Sequence, residues 1–227
     1  MKKKKLVSIV AGVAVVATLA VGSLAWFTSS DSVTNAFSTG STVSNDVNAG
    51  IEISEDFDGE KAKNILPGDD VKKLVKIDST AKYDQLVRAK ISKVFKDKDG
   101  NVVDCYTTTK KAGQDGDEEN IIKFYNSKNA PEGAIKLNED FIQLDLSKNG
   151  KWTSVQQDGY YYYNEILPGE QATAPILDSV TLSKDADNCY KNLNFDVVVE
   201  AESIQASNDA VTDAWKGAPA SVSNLGK

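Results

Sequence analysis

Residues 83–95 read Tyr83-Asp84-Gln85-Leu86-Val87-Arg88-Ala89-Lys90-Ile91-Ser92-Lys93-Val94-Phe95, and their period decides the fold class. Tyr83, Gln85, Val87, Ala89, Ile91 and Phe95 fall on one face of an extended chain, with Arg88, Lys90 and Ser92 on the other. That is the alternation of a strand buried on one side. Phe195, Val197, Val199 and Ala201 alternate with Asp196 and Glu200 in the same way. Asp99-Gly100-Asn101 before Val102-Val103, and Asp158-Gly159 between residues 152–155 and 160–163, punctuate such runs as hairpin turns. Helical patterns are short: residues 209–216, capped by Ser207 or Asn208 with Val211 and Trp215 one turn apart, and a second candidate within residues 139–146. The expectation is a mainly β protein, an antiparallel β-sandwich with short helices. The polar stretch 110–138 reads as a long insertion on that scaffold.

Composition closes much enzymology. The chain has 227 residues, 41% hydrophobic and 26% charged, enough apolar material for one sizeable domain or two small ones. It has no histidine, which removes Ser/His/Asp and Cys/His nucleophile systems, His-ligated zinc and any imidazole base. The net charge of -7 disfavours a nucleic-acid partner.

Lys2, Lys3, Lys4 and Lys5 form a basic start to the uncharged apolar run 6–24, the pattern of an export signal or a membrane span. Ser23-Leu24-Ala25 puts small residues where a signal peptidase reads, and polar Thr28-Ser29-Ser30-Asp31 follows without a stop-transfer cluster. The prediction is cleavage after Ala25, so that Trp26 begins the secreted form; the alternative is an uncleaved anchor with the domain still outside. Losing residues 1–25 with their four lysines leaves 202 residues and takes the charge from -7 to -11. In an oxidising compartment Cys105 and Cys189 can pair, closing a loop of about 85 residues and contributing on the order of 4 kcal/mol. The other reading is two buried free thiols.

The expected organisation is a signal peptide over 1–25, an extended arm over 26–50, a β-sandwich domain over 51–217 and a polar tail over 218–227. Neither a second long apolar stretch nor an LPxTG signal follows, which points to a protein released from the cell or held at its surface by partners. The arm places Trp26, Phe27, Val33, Phe37, Val43 and Val47 in a background of Ser, Thr, Asn and Asp, too sparse for a core of its own. It buries these groups only by lying in a sheet. If the sheet belongs to the next subunit, strand addition grows an open filament; if it is its own, the arm is the first strand of a monomer. Asn64-Ile65-Leu66-Pro67-Gly68-Asp69 is nearly repeated as Glu165-Ile166-Leu167-Pro168-Gly169-Glu170. Pro67-Gly68 and Pro168-Gly169 suit the centre of type II turns, which predicts two equivalent corners entering strands.

Residues 26–40, the two LPG turns, Leu86-Val87-Arg88-Ala89, Gly159-Tyr160-Tyr161-Tyr162-Tyr163 and residues 197–205 (VVVEAESIQ) together resemble the TasA/camelysin family of proteins exported by Gram-positive bacteria. The resemblance implies a jelly-roll-like β-sandwich, a dedicated signal peptidase cutting before the aromatic residue, and, for TasA-like members, secreted fibres of the biofilm matrix. Partners would be further copies of the chain, related matrix subunits or an accessory protein. The sequence departs from the family in the polar stretch 41–48 before Ile51 and in its two cysteines.

Three functions are weighed: a polymerising matrix protein, a camelysin-like surface metallopeptidase, and an accessory subunit or adhesin that does not polymerise. No catalytic constellation and no cofactor is assigned. Asp115, Asp117, Glu118 and Glu119 offer oxygen ligands to a divalent cation, but Asn120 stands where a calcium loop needs glycine, so a solvated acidic loop is expected. Alternation along residues 160–163 would turn two tyrosines inward and two outward.

Overall fold

The computed structural model describes residues 28–37, 50–63, 65–112, 118–190 and 193–227, with residues 28–37, 112, 118 and 119 described by backbone alone. Its strands form antiparallel sheets, and helices are few and short, the first being α1 (Gly59–Ala62). One sheet runs β1 (Thr28–Phe37), β12 (Asn194–Gln205), β4 (Gln85–Lys96), β10 (Tyr161–Tyr162), with β5 (Val102–Val103) also on β4. The facing sheet runs β2 (Ile51–Phe57), β3 (Asp70–Ser79), β11 (Leu177–Leu182), β9 (Ile142–Leu146). A third layer holds β7 (Glu118–Tyr125), β6 (Cys105–Ala112) and β8 (Ile135–Lys136).

The expected parity of residues 83–95 sets the core. Val87, Ala89 and Phe95 of β4 meet Val197, Val199 and Ala201 of β12 and, from the facing sheet, Ile51, Val75, Ile77, Leu177 and Val180. Each such aliphatic side chain, fully buried, stabilises by about 1.5–3 kcal/mol. The two sheets are also joined by polar groups: Ser79 Oγ donates to Gln85 Oε1 (2.6 Å), and Gln85 Nε2 donates to Ser203 Oγ (2.9 Å). All three residues are buried, so each polar atom needs the partner it has.

The opposite face of β4 and β12 is covered too. Leu86, Tyr162 and Ile204 pack against Ala210, Val211, Trp215 and Val222. Ala210 and Val211 belong to α2 (Ala210–Ala214), Trp215 follows that helix directly, and Val222 belongs to α3 (Ala220–Ser223). Residues 218–227, expected as a polar tail, thus contribute the fully buried Val222 and the partly buried Leu225. The cap of α2 also differs from expectation. Asp209 precedes the helix at φ 56° with no side-chain cap bond, and its N–H donates to Gly226 O (3.1 Å), tying the two helices together.

Two further expectations are corrected. Within 139–146 only Glu139–Phe141 make a short 3-10 turn, with Asn138 accepting from Asp140 N. From Ile142 the chain is strand β9, because Ile142 is buried while Gln143 and Asp145 face water, a period of two. The stretch 110–138 is not one long loop: β7 pairs with β6 over eight residues, setting Ile121, Ile122 and Phe124 across from Thr109, Thr108 and Tyr106. Its β-branched and aromatic residues suit a strand in spite of its polar composition.

Cys105 and Cys189 are both free. Cys105 Sγ donates to Tyr125 O (3.4 Å), whereas Cys189 meets Tyr106 and Thr108. Tyr106 and Thr108 alternate onto the face of β6 opposite Cys105, so the thiols stand on two sides of one strand. Thiol titration of the unfolded, unreduced protein should count two thiols per chain; an intramolecular bridge found by non-reducing mass analysis would overturn the assignment.

The least expected residue of the core is Lys73, an inward position of β3 with a fully buried side chain. Its ammonium lies 2.8 Å from Glu55 Oε1 and 5.3 Å from the centroid of the Phe57 ring. Burial pushes its pKa down, and the Glu55 charge and hydrogen bond push back. Glu55→Gln strands that charge and should destabilise the fold by about 3–5 kcal/mol, while replacing both partners, Lys73→Met with Glu55→Leu, should be near neutral or stabilising. Urea unfolding of the two variants checks this; equal losses would contradict it.

Candidate assembly interface

Strand β1 lies at the edge of its sheet and pairs with β12 along its whole length, from Thr28 opposite Ile204 to Phe37 opposite Phe195. Within the single chain residues 28–37 of the arm therefore form the first strand of its own sandwich. Val33 stands in register with Val199 and Asn35 with Val197. Ala25, Trp26, Phe27 and Val43 lie outside the described residues. Strand β12 is held from its other side by β4, paired through twelve consecutive positions from Asn194–Lys96 to Gln205–Gln85. Beside β1, Asp196 is buried, opposite Ala36 in register; its Oδ2 is ion-paired with Lys96, and Oδ1 has no hydrogen-bond partner among the described residues.

A second constellation ties β4 to β12. Arg88, the chain's single arginine, stands on the outward face of β4. Its Nε and Nη2 donate to Glu202 Oε2 (2.9 and 2.6 Å), and its Nη1 donates to Tyr162 OH (3.2 Å). The guanidinium carbon lies 3.9 Å from the centroid of Tyr160 and 4.8 Å from that of Trp215, within reach for cation–π attraction. The hydroxyls are fixed in turn: Tyr160 donates to Glu202 Oε1 (2.7 Å) and Tyr162 to Asp158 Oδ2 (2.6 Å). Burial opposes the arginine's charge, but the bonds to Tyr162 and Glu202 outweigh it and hold its pKa above the ordinary value.

Three segments distant in sequence meet here: residues 86–89, 159–163 and 197–205 supply Arg88, Tyr160 with Tyr162, and Glu202. Trp215 completes the cluster from beyond α2. Sequence reasoning assigned Arg88 to a solvated face and missed the cluster. The available signal was that lone arginine among 26 basic residues, since a planar fork suits two acceptors and two aromatic faces as lysine does not. The four tyrosines do not divide into two inward and two outward. Tyr162 and Tyr163 are buried, and Tyr160 and Tyr161 partly so, because residues 152–153 and the C-terminal helices cover both faces.

The two LPG corners are not equivalent. At the first, Asp69 N donates to Leu66 O (2.9 Å) and Gly68 takes φ 94°, the type II turn expected. At the second the turn slips one residue onward: Gln171 N donates to Pro168 O (3.3 Å), and Glu170 carries the positive φ of 60°. Gly169 is required for space instead, since a Cβ there would sit 2.7 Å from Lys82 C and 2.9 Å from Ala81 O.

Among the described residues no group of three or more His, Cys, Asp or Glu is arranged to hold a metal ion. Asp115 and Asp117 lie outside them, and Glu118, Glu119 and Asn120 belong to β7 rather than to a loop. No family model, no curated protein and no solved structure matches the chain.

Burial and the acceptor carboxylates push Tyr160 and Tyr162 up to about 12 from an ordinary 10.0; Tyr106 reaches about 12 through burial and its bond with Cys189. The neutral phenols favour folding fully below pH 10, the unfolded value, and that contribution is lost as pH rises from 10 towards 12. Absorbance titration near 295 nm should show a late group of tyrosines. Tyr160→Phe with Tyr162→Phe should shrink that group; an unchanged late phase would refute the assignment.

Proposed function

We propose that the protein is an exported structural subunit of an extracellular matrix. In this reading it polymerises by lending β1 to the next copy, as the resemblance to TasA-like proteins implies. The observation that carries it is the edge position of β1, whose ladder runs along β12 alone for ten residues. The same ladder, made to the β12 of a neighbour, reproduces every backbone hydrogen bond of the closed form. Exchange therefore costs no pairing once the arm is released. Each subunit would accept one strand and donate one, so the contact is head-to-tail and does not close. Arg88 and its partners support this by keeping β4, β12 and the C-terminal helices together while the edge is vacated.

A secreted form at -11 consists of mutually repelling subunits, so assembly should be slow at low salt and faster with salt, divalent cations or acid. The decisive comparison is between protein beginning at Trp26 and protein beginning at Ile51, examined by electron microscopy and circular dichroism. The first should form fibres and the second should fold without forming them. A peptide of residues 28–37 should bind the shortened protein. Fibres from the shortened protein, or failure of the peptide to bind it in folded form, would overturn strand donation.

A further inference from the structure

The third layer carries a two-stranded ribbon with open edges. β8 covers the outer edge of β6 only at Cys105 and Tyr106. Beyond that point the ribbon of residues 107–111 and 119–123 has two strands. Among the described residues neither of its outer edges is paired with another strand. Two isolated strands are marginal in water, and an open edge rich in β-branched residues is a template for pairing. Ile121 is 36% exposed, and Ile135 and Val102 on neighbouring strands are 53% and 50% exposed.

The charge order along β7 selects what fits that edge. It reads Glu119-Asn120-Ile121-Ile122-Lys123, with opposite charges symmetrically placed about Ile121. We infer that the outer edge of β7 is a self-complementary interface that pairs antiparallel with β7 of a second copy about a two-fold axis at Ile121. In that register Ile121 meets Ile121 of the second copy, Asn120 meets Ile122, and Glu119 meets Lys123 twice over, once on each side of the axis. Opposite charges across an antiparallel pair stabilise it, and like charges placed there oppose it. The contact is isologous and closes at two copies, whereas donation of β1 does not close. The two contacts use different edges, so the ribbon would tie two filaments side by side, and its pairing stands whether or not β1 is exchanged.

Two measurements test this on the secreted form beginning at Trp26. Ile121→Cys, oxidised gently, should give a covalent dimer on a denaturing gel. Thr109→Cys, opposite Ile121 on β6, should give none, and since Cys105 and Cys189 are present in both, cross-linking through them would show in this control. Equal cross-linking of the two variants, or none from Ile121→Cys, would overturn the proposal, as would a heterodimer joining one copy of each variant when they are mixed, which is the mark of head-to-tail ribbon stacking. In sedimentation, Lys123→Glu should weaken self-association about tenfold, by setting like charges opposite twice. Adding Glu119→Lys should restore it. If the double variant is as weak as the single one while both remain folded by circular dichroism, the register is wrong.

Discussion

The twelve-residue ladder between β4 and β12 is the constraint on which the molecule depends. Its alternation delivers one face, Val87, Ala89, Val197 and Val199, to the core shared with the second sheet. The other face goes to the C-terminal helices, through Leu86 and Ile204. Both covers fail if this pair slips by one residue, because every side chain then changes face. Arg88 and Glu202, opposite one another in that register, hold it from outside, and Gln85 with Ser203 holds it from inside.

The residues fixing this ladder are also those whose pattern was plainest in the sequence. The alternation of 83–95 and 195–201 placed the core face correctly. The turn pairs Asp99-Gly100 and Asp158-Gly159 both mark reversals where glycine takes positive φ, 82° and 83°. Less legible was anything set by a distant partner. Leu86 and Ile204 sit on a face that reads as polar, and only α2 and α3, placed by tertiary packing, make it a second core. Lys73 occupies an inward position that composition assigns to water, because Glu55 on the neighbouring strand neutralises it. Arg88 looked solvated for the same reason: its acceptors and rings come from three remote segments.

The arm shows the same division. Its sparse apolar content said that it must lie in a sheet, and β1 does so on β12. Composition cannot say whose sheet, because the closed and exchanged forms share one set of local contacts and differ only in which chain supplies them. In the proposed assembly, what is exchanged is an edge. The interior, with buried Gln85, Ser79 and Ser203 mutually satisfied, resists rearrangement.

The two LPG corners bear on how related chains would be compared. Four matching letters invite an internal alignment in which Gly68 corresponds to Gly169. The backbone instead equates Gly68 with Glu170, the residue that carries the positive φ. An alignment anchored on the letters would therefore be out of step by one position at the second turn. In a β protein, one position is the difference between the inside of the molecule and the outside.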